Sequence, residues 1–312
     1  MKNKDLISVL IPLYNEEESI EILYSEITDS LKEYNYEIVL INDGSSDNSV
    51  SVIKKLINSN NIHLIDLYKN YGKSAALSEG FKYCNGDYIV TLDADLQDNP
   101  FEIPKLIKSI EESNFDIISG WKKDRKDPIS KTIPSRFFNF ITRLLSGIKI
   151  HDFNCGLKIY KKQVVKSIEI YGGMHRYIPV IAKHKGFSTS EEIVNHRERQ
   201  FGTTKYGSAR FLHGFFDLIT VLFLGKYFAR PLHFFGFFGL LNLIAGLFIN
   251  IYLTIGWFNG IWIGNRPIFF LGILFVIVGI QFISLGLLGE LIIKSNSKSE
   301  NRVASIYSFK DN

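Results

Sequence analysis

Two stretches near the carboxyl end constrain most strongly what this chain can fold into. From Pro231 to Asn265 there is no Asp, Glu, Lys or Arg, and from Pro267 to Gly289 there is again none. Each exceeds the ~20 residues a helix needs to cross a hydrocarbon core. Leu240 to Gly256 and Ile268 to Leu288 are dense in Leu, Ile, Phe and Val, with glycine at a frequency that membrane helices tolerate. A buried helical hairpin in a soluble core is the alternative, but two adjacent stretches of this length at one end of the chain predict a pair of membrane spans. Lys205, Arg210, Lys226 and Arg230 precede the first span, Lys294, Lys298 and Arg302 follow the second, and the connecting loop carries only Arg266. The positive-inside rule then places both termini in the cytoplasm, with Trp257, Phe258 and Trp262 at the far interface. The amino terminus has a basic start but only a short apolar run before Glu16, and reads as a strand rather than a signal peptide.

Before about Gln200 the pattern changes to short apolar runs alternating with helical periods, which predicts an α/β domain. Strands are expected at Leu6–Leu13, Glu37–Ile41, Ile62–Leu67, Tyr88–Leu92 and Asp116–Ser119, with a further apolar-polar run over Cys155–Tyr160. Helices are expected at Glu16–Glu33, Gly72–Cys84, Pro100–Ser113 and near Arg136–Ser146. Trp121–Pro134 is polar, holds two prolines and reads as a loop. Tyr206–Phe228 mixes apolar with charged residues, as helices lying on a membrane surface do. The expected division is a catalytic domain over 1–205, juxtamembrane helices over 206–230, a two-helix anchor over 231–293 and a tail over 294–312. Cys84 and Cys155 make no zinc spacing and need no disulfide. The net charge of +4 is modest, and no basic patch with interleaved aromatics points to nucleic acid.

The chemistry concentrates after the fourth strand. Asp93 and Asp95 follow it with one small residue between them. Two carboxylates so spaced suit Mg²⁺ or Mn²⁺ held together with substrate phosphates, and strand ends are where open α/β sheets bind ligands. A solvated Asp-rich turn is the plainer alternative. Gly72-Lys73-Ser74 opens a helix and offers amides and an ammonium to a base or phosphate. The GxxxxGK[ST] spacing of a nucleoside-triphosphatase and the GxGxxG of a nicotinamide enzyme are both absent.

SVLIPLYNEEESI, EIVLINDGSSDNS, NYGKSAALSEGF and GDYIVTLDADLQDNP, in that order, resemble a family 2 glycosyltransferase of GT-A type. DFNCGLKIY, HRERQFGTTKYG and the two-span anchor narrow the resemblance to the polyprenyl-phosphate sugar transferases, the group of dolichyl-phosphate mannose synthase and the bactoprenol glucosyltransferases. It covers nearly the whole chain. It implies a Rossmann-like, mostly parallel GT-A sheet followed by two transmembrane helices in a bacterial inner membrane. The implied reaction is inverting transfer of a hexose, with UDP-glucose the favoured donor, to undecaprenyl or another polyprenyl phosphate. GDP-mannose, UDP-GlcNAc and UDP-aminoarabinose are alternative donors, and an inert membrane scaffold is the rival from another class.

By this resemblance Asp93, Asp95 and Gln97 hold Mg²⁺ or Mn²⁺. Pro12, Tyr14, Asn15, Glu16, Asp43 and Lys73 border the nucleotide, Glu16 serving either the donor or local capping, while Gly44 lets backbone approach closely. Asp152 flanks the sugar, either orienting a hydroxyl or assisting the acceptor. Two anionic groups must be held together, so cations are required; Arg125, Arg136, Arg197, Arg199 and Lys205 are the candidates. His151 and His175 read as structural or surface residues. Gly236, Gly239, Gly246, Gly279 and Gly286 are expected to serve homo-oligomer packing in the membrane. A processive synthase would need a Gln-x-x-Arg-Trp segment, which is missing.

Overall fold

The computed structural model describes residues 5–57, 61–123, 129–198, 210–227, 230–263 and 266–296. Its chain divides into two units, Met1–Leu222 and Phe223–Asn312.

In the first unit, β1 (Leu6–Leu13) is buried almost throughout, as a strand covered on both faces must be. It pairs in parallel with β2 (Asn35–Asn42) on one side and β4 (Tyr88–Thr91) on the other, while β3 (Ile62–Asp66) extends the sheet beyond β2. Helices α1 (Ile20–Ser30), α2 (Ser49–Leu56) and α3 (Lys73–Tyr83) make the crossovers. Because the chain leaves β1 toward β2 and later returns to β1's other side as β4, the carboxyl ends of β1 and β4 form a topological switch point.

The other half holds α4 (Ile103–Glu112), β5 (Ile117–Trp121), α5 (Ile129–Ser146), β6 (Lys158–Lys161), α6 (Lys162–Ser167), α7 (Ile178–His184) and β7 (Thr189–Ile193). The sheet order is β3-β2-β1-β4-β6-β5-β7. Only β6 runs against its neighbours, β4 and β5; β5 and β7 are parallel. This one reversal matters for the site: Lys158 opens β6 opposite Thr91 at the end of β4. The segment entering β6 therefore lies on the edge from which Asp93 emerges. The GT-A arrangement, mixed but mostly parallel, follows.

Differences from the sequence-based expectation have local causes. The helix expected near Arg136 starts at Ile129, so Pro134 lies inside it. The edge strand β7, with sequence TSEEI, is half-buried and charged, and carries no apolar signal to read. Residues 210–227 form one helix, α8.

The second unit is a helical hairpin. Helices α9 (Pro231–Phe258) and α10 (Pro267–Asn296) are each long and apolar enough to cross a membrane. The glycines expected to serve oligomer contacts are instead spent within the pair. A Cβ on Gly239 would stand 2.8 Å from the Gly279 carbonyl, and one on Gly279 would stand 2.8 Å from the Gly239 carbonyl. A Cβ on Gly246 would meet Val276 N at 2.7 Å, and one on Gly286 would meet Leu232 Cα at 3.0 Å. Gly236 alone of the five touches nothing on the other helix. Backbones this close are the small-residue packing of membrane helices. Gly279→Leu is expected to force the two helices apart. In mild detergent the variant should melt well below wild type by intrinsic Trp fluorescence; an unchanged melt would show that the close approach is dispensable.

Candidate active site

Beyond β4 burial alternates: Ala94, Leu96 and Asp98 are buried, while Asp93, Asp95 and Gln97 are half-buried. The turn is sharpened by Leu96, whose φ of 60° lies in the left-handed region. Such a backbone costs on the order of 1 kcal/mol for a residue with a Cβ; here the buried Leu96 side chain and a Gln97 amide donating to Asp95 Oδ1 at 3.2 Å hold it. The result is two half-buried carboxylates and a carboxamide in succession at the switch point, Asp93 lining the adjoining pocket.

Asp93 is paired with the Lys73 ammonium from the first turn of α3. Burial alone would raise the Asp93 pKa, but Lys73, with Lys122 further off, outweighs it and holds the carboxyl at about 2. Lys73 thus faces a carboxylate rather than only a base or phosphate. The Gly72 amide is also engaged: it and the Tyr71 amide donate to Asp43 at 2.9 and 2.7 Å. Burial raises the Asp43 pKa despite those two bonds. Asp43 therefore fixes the loop that presents Lys73, and the close backbone approach allowed by Gly44 (φ 68°) is to Lys69 and Asn70.

The first strand's loop is stitched to the second's. Asn15, at φ 52°, donates its amide to Ser45 Oγ at 2.9 Å and accepts the Ser46 amide on Oδ1 at 2.8 Å. The Glu16 amide donates to Ser49 Oγ at 3.0 Å, and the Ser19 hydroxyl reaches the Glu16 carboxylate at 3.3 Å. Asp47 caps α2 through the Ser49 amide at 3.0 Å. Tyr14 is half-buried in the same loop, and Pro12 lines the pocket beside Asp93.

That pocket also holds residues that were not among the site candidates. Lys158, His175, Arg176 and Phe153 line it together with Lys73 and Asp93. Lys158 is buried, donates to the Cys155 carbonyl, and has its pKa lowered by burial. His175 shares two contacts with Ser74: ring Nδ1 to Oγ at 2.9 Å, and backbone amide to Oγ at 3.0 Å. Burial, then Lys73 and Arg176, press its pKa well below the ordinary value, so the ring is neutral at pH 7. His175 is thus a wall of the pocket rather than a surface histidine. His151 stays structural, stacked on Trp121 at 4.2 Å and paired with Glu191.

Behind the corner lies a second buried pair. Asp98 and Lys122 approach to 2.7 Å; burial would lower the Lys122 pKa, but Asp98 outweighs it and raises it. Gly156 is wedged against both acidic groups. A Cβ there would stand 2.6 Å from Asp93 Cγ and 2.6 Å from Asp98 Oδ2. Asp152, four residues earlier, is buried, accepts the Asn154 amide on Oδ1 at 3.1 Å, and takes the Ser119 hydroxyl on its carbonyl at 3.4 Å. Both cysteines are free and buried, and burial pushes each thiol up to about 12.

The cation candidates divide. Arg197 is not available to a phosphate: it reaches both Glu26 oxygens at 2.8 and 2.7 Å and Asn99 Oδ1 at 2.6 Å. Its amide donates to the Gln97 carbonyl at 3.0 Å, and the His196 backbone pairs antiparallel with that of Asp98. This fastens the chain before residue 199 to the acidic corner. Arg136 is exposed on α5 and does not line the pocket. Arg125, Arg199 and Lys205 lie outside the described residues. Arg197→Met should lower stability by about 1–3 kcal/mol, since it strips charge-assisted bonds from a half-buried carboxylate. A melt indistinguishable from wild type would show that the staple carries little.

Residues 8–169 match the family model described as glycosyl transferase family 2. The dodecaprenyl-phosphate galacturonate synthase of Rhizobium johnstonii is 34% identical over 297 residues, covering 93% of this chain and 88% of that protein. The undecaprenyl-phosphate 4-deoxy-4-formamido-L-arabinose transferase of Yersinia enterocolitica is 34% identical over 292 residues, covering 92% and 88%. In fold, glucosyl-3-phosphoglycerate synthase from Mycobacterium tuberculosis, solved with Mn²⁺ and UDP-glucose, superposes with a TM-score of 0.56. It is 15% identical and covers 71% of this chain and 79% of its own. The chain belongs to glycosyl transferase family 2. Its similarity along nearly the full length is to enzymes named for sugar transfer to polyprenyl phosphates.

Proposed function

We propose that this protein is a membrane-anchored, inverting glycosyltransferase that moves a sugar from a nucleotide donor to a polyprenyl phosphate. The observation that carries the reading is the corner itself: the half-buried Asp93, Asp95 and Gln97 follow β4 at the switch point, with Asp93 lining the pocket. Their oxygens suit a hard divalent ion, Mg²⁺ or Mn²⁺, that completes its shell with substrate phosphates, which explains why a protein cage of more ligands is not needed. Among the described residues no cluster of three acidic, His or Cys groups stands alone as a metal site. When bound, such an ion neutralises charge building on the leaving diphosphate.

The chain's own residues do the rest. Lys73 and Lys158 bring positive charge to the pocket side of Asp93, and Asp43 holds the loop that aims Lys73. An acceptor phosphate is already anionic at neutral pH, so the nucleophile needs no strong base, and Asp152 serves position rather than proton removal. An acceptor oxygen attacks the anomeric carbon as the bond to the donor's β-phosphate breaks, releasing the nucleoside diphosphate with inversion. Arg125, Arg199 and Lys205 are proposed to hold the two anions together. A polyprenyl phosphate is confined to a bilayer, and a hairpin anchor raises the effective concentration of one for the other.

For the donor we favour a uridine diphosphate sugar. The relatives' names specify galacturonate and 4-deoxy-4-formamido-arabinose, which supports a modified sugar over plain glucose. Purified protein should release nucleoside diphosphate only when polyprenyl phosphate and Mg²⁺ or Mn²⁺ are both present, and chelation should stop the release. Release that ignores the lipid would overturn the acceptor assignment.

A further inference from the structure

The pocket beside Asp93 is small, and its polar lining consists mostly of donors. The space it encloses is about 10 Å³, room for one oxygen-sized group and not for a sugar ring. Lys73, Lys158, His175 and Arg176 line it, and the one carboxylate of the lining, Asp93, is paired with Lys73. The carbonyls of Cys155 and Gly156 take the Lys158 ammonium and the Thr91 hydroxyl. His175 is set as a donor by its partner. Ser74 is fully buried, and its Oγ accepts the His175 backbone amide at 3.0 Å, which leaves the hydroxyl proton to place. Among the described residues the acceptor for that proton is His175 Nδ1, at 2.9 Å. A buried hydroxyl left unbonded is costly, so Nδ1 accepts, and in the neutral ring the remaining proton sits on Nε2. Burial, then the charges of Lys73 and Arg176, keep the ring neutral. Nε2 itself has no protein partner among the described residues.

We propose that His175 binds substrate: its Nε2–H donates to a β-phosphate oxygen of the nucleotide-sugar donor, seated in this pocket. A phosphate oxygen fits because it brings no proton of its own. A sugar hydroxyl would also need an acceptor, and the one carboxylate there already holds Lys73. The donor's diphosphate is the source because Asp93 borders the same pocket and is assigned to the divalent ion whose shell the diphosphate completes. The inference rests on that assignment and deepens it. As the bond to the sugar breaks, charge builds on the β-phosphate, and a fixed N–H at that oxygen needs no reorganisation to meet it. Ser74 is a positioning residue that acts through the ring.

The test uses the full chain in nanodiscs, titrated with UDP and with GDP in Mg²⁺; the tighter binder is then compared with its monophosphate. Two substitutions separate the two ends of the ring. His175→Gln carries an amide nitrogen where Nε2 stands, and His175→Asn carries one where Nδ1 stands, toward Ser74. His175→Asn should lose about 10–100-fold in diphosphate affinity, the range for a hydrogen bond to a charged group, and little for the monophosphate. His175→Gln should bind the diphosphate within a few fold of wild type, even where its melt falls. A ring kept only for its contact with Ser74 gives the reverse, Asn retaining affinity and Gln losing it, and that result overturns the proposal. Where both substitutions lose affinity, nitrogen NMR spectra of histidine-labelled wild type decide. The His175 proton should sit on Nε2 and shift when the diphosphate is added; a proton on Nδ1, or no shift, overturns the proposal. If His175→Asn instead raises the KM for undecaprenyl phosphate and leaves nucleotide affinity unchanged, the pocket serves the acceptor and the donor assignment falls. If folded wild type binds neither nucleotide, the glycosyltransferase reading fails and this one fails with it.

Discussion

Asp93→Asn should reduce sugar transfer by about 10²–10³-fold, the loss typical when one preorganised charge-stabilising group is removed. The substitution keeps volume and shape, and the side chain is one-third exposed, so the domain should stay folded. Two effects act together. The corner loses the negative charge that a divalent ion needs, and Lys73 loses the carboxylate that positions it. Comparing Asp93→Asn with Lys73→Gln separates them, because the second leaves both carboxylates in place. Turnover of Asp93→Asn is measured from radiolabelled sugar in the lipid phase, at saturating Mn²⁺ and in parallel with a melt. A folded variant that transfers sugar at the wild-type rate would remove Asp93 from the chemistry.

Gly156→Ala should have an effect of similar size by a different route. The added methyl has nowhere to go: it would stand 2.6 Å from Asp93 Cγ on one side and 2.6 Å from Asp98 Oδ2 on the other. The backbone cannot simply retreat, because the Gly156 carbonyl accepts the Thr91 hydroxyl at 2.8 Å and Lys158 is registered against Thr91. Overpacking of this kind costs about 1–3 kcal/mol. Displacing Asp93 by about 1 Å is expected to cost about 10²-fold in rate. The diagnostic feature is a shift in metal dependence. Half-maximal activity should need more Mn²⁺ than in wild type, whereas a defect confined to stability would lower the melt and leave the metal curve unmoved.

How much of this could be read from residues alone differs from one part to the next. The alternation through Asp93, Asp95 and Gln97 is a local period of two at the end of an apolar run, and local periods are visible in a sequence. The hairpin was visible for the same reason, through the loss of charge over two long stretches. The Asp98–Lys122 pair, the wedge of Gly156 and the pocket side of Lys158 were not. They exist because β6 inserts antiparallel between β4 and β5, and no local pattern announces a strand's direction. Arg197 had the look of a phosphate ligand because it is an arginine beside other basic residues. Its partner Glu26 sits 171 residues earlier on α1, beyond the reach of motif reading. Sequence shows that the glycines of α9 and α10 are small, not which helix they face, so their packing within the pair is invisible in it. His175 is a pocket wall through its contact with Ser74, again a pairing across more than a hundred positions.

The most direct test is the mass of the lipid product. Purified full-length protein is incubated with undecaprenyl phosphate, Mg²⁺ or Mn²⁺, and each of a panel of nucleotide sugars that includes UDP-glucose, UDP-galacturonate, UDP-4-deoxy-4-formamido-arabinose, UDP-GlcNAc and GDP-mannose. One donor is expected to give a lipid heavier by a single sugar residue, with one nucleoside diphosphate released per product and none formed by Asp93→Asn. No glycosylated lipid from any donor, with protein that is folded and metal-replete, would contradict the account and leave an inert family member on a membrane hairpin.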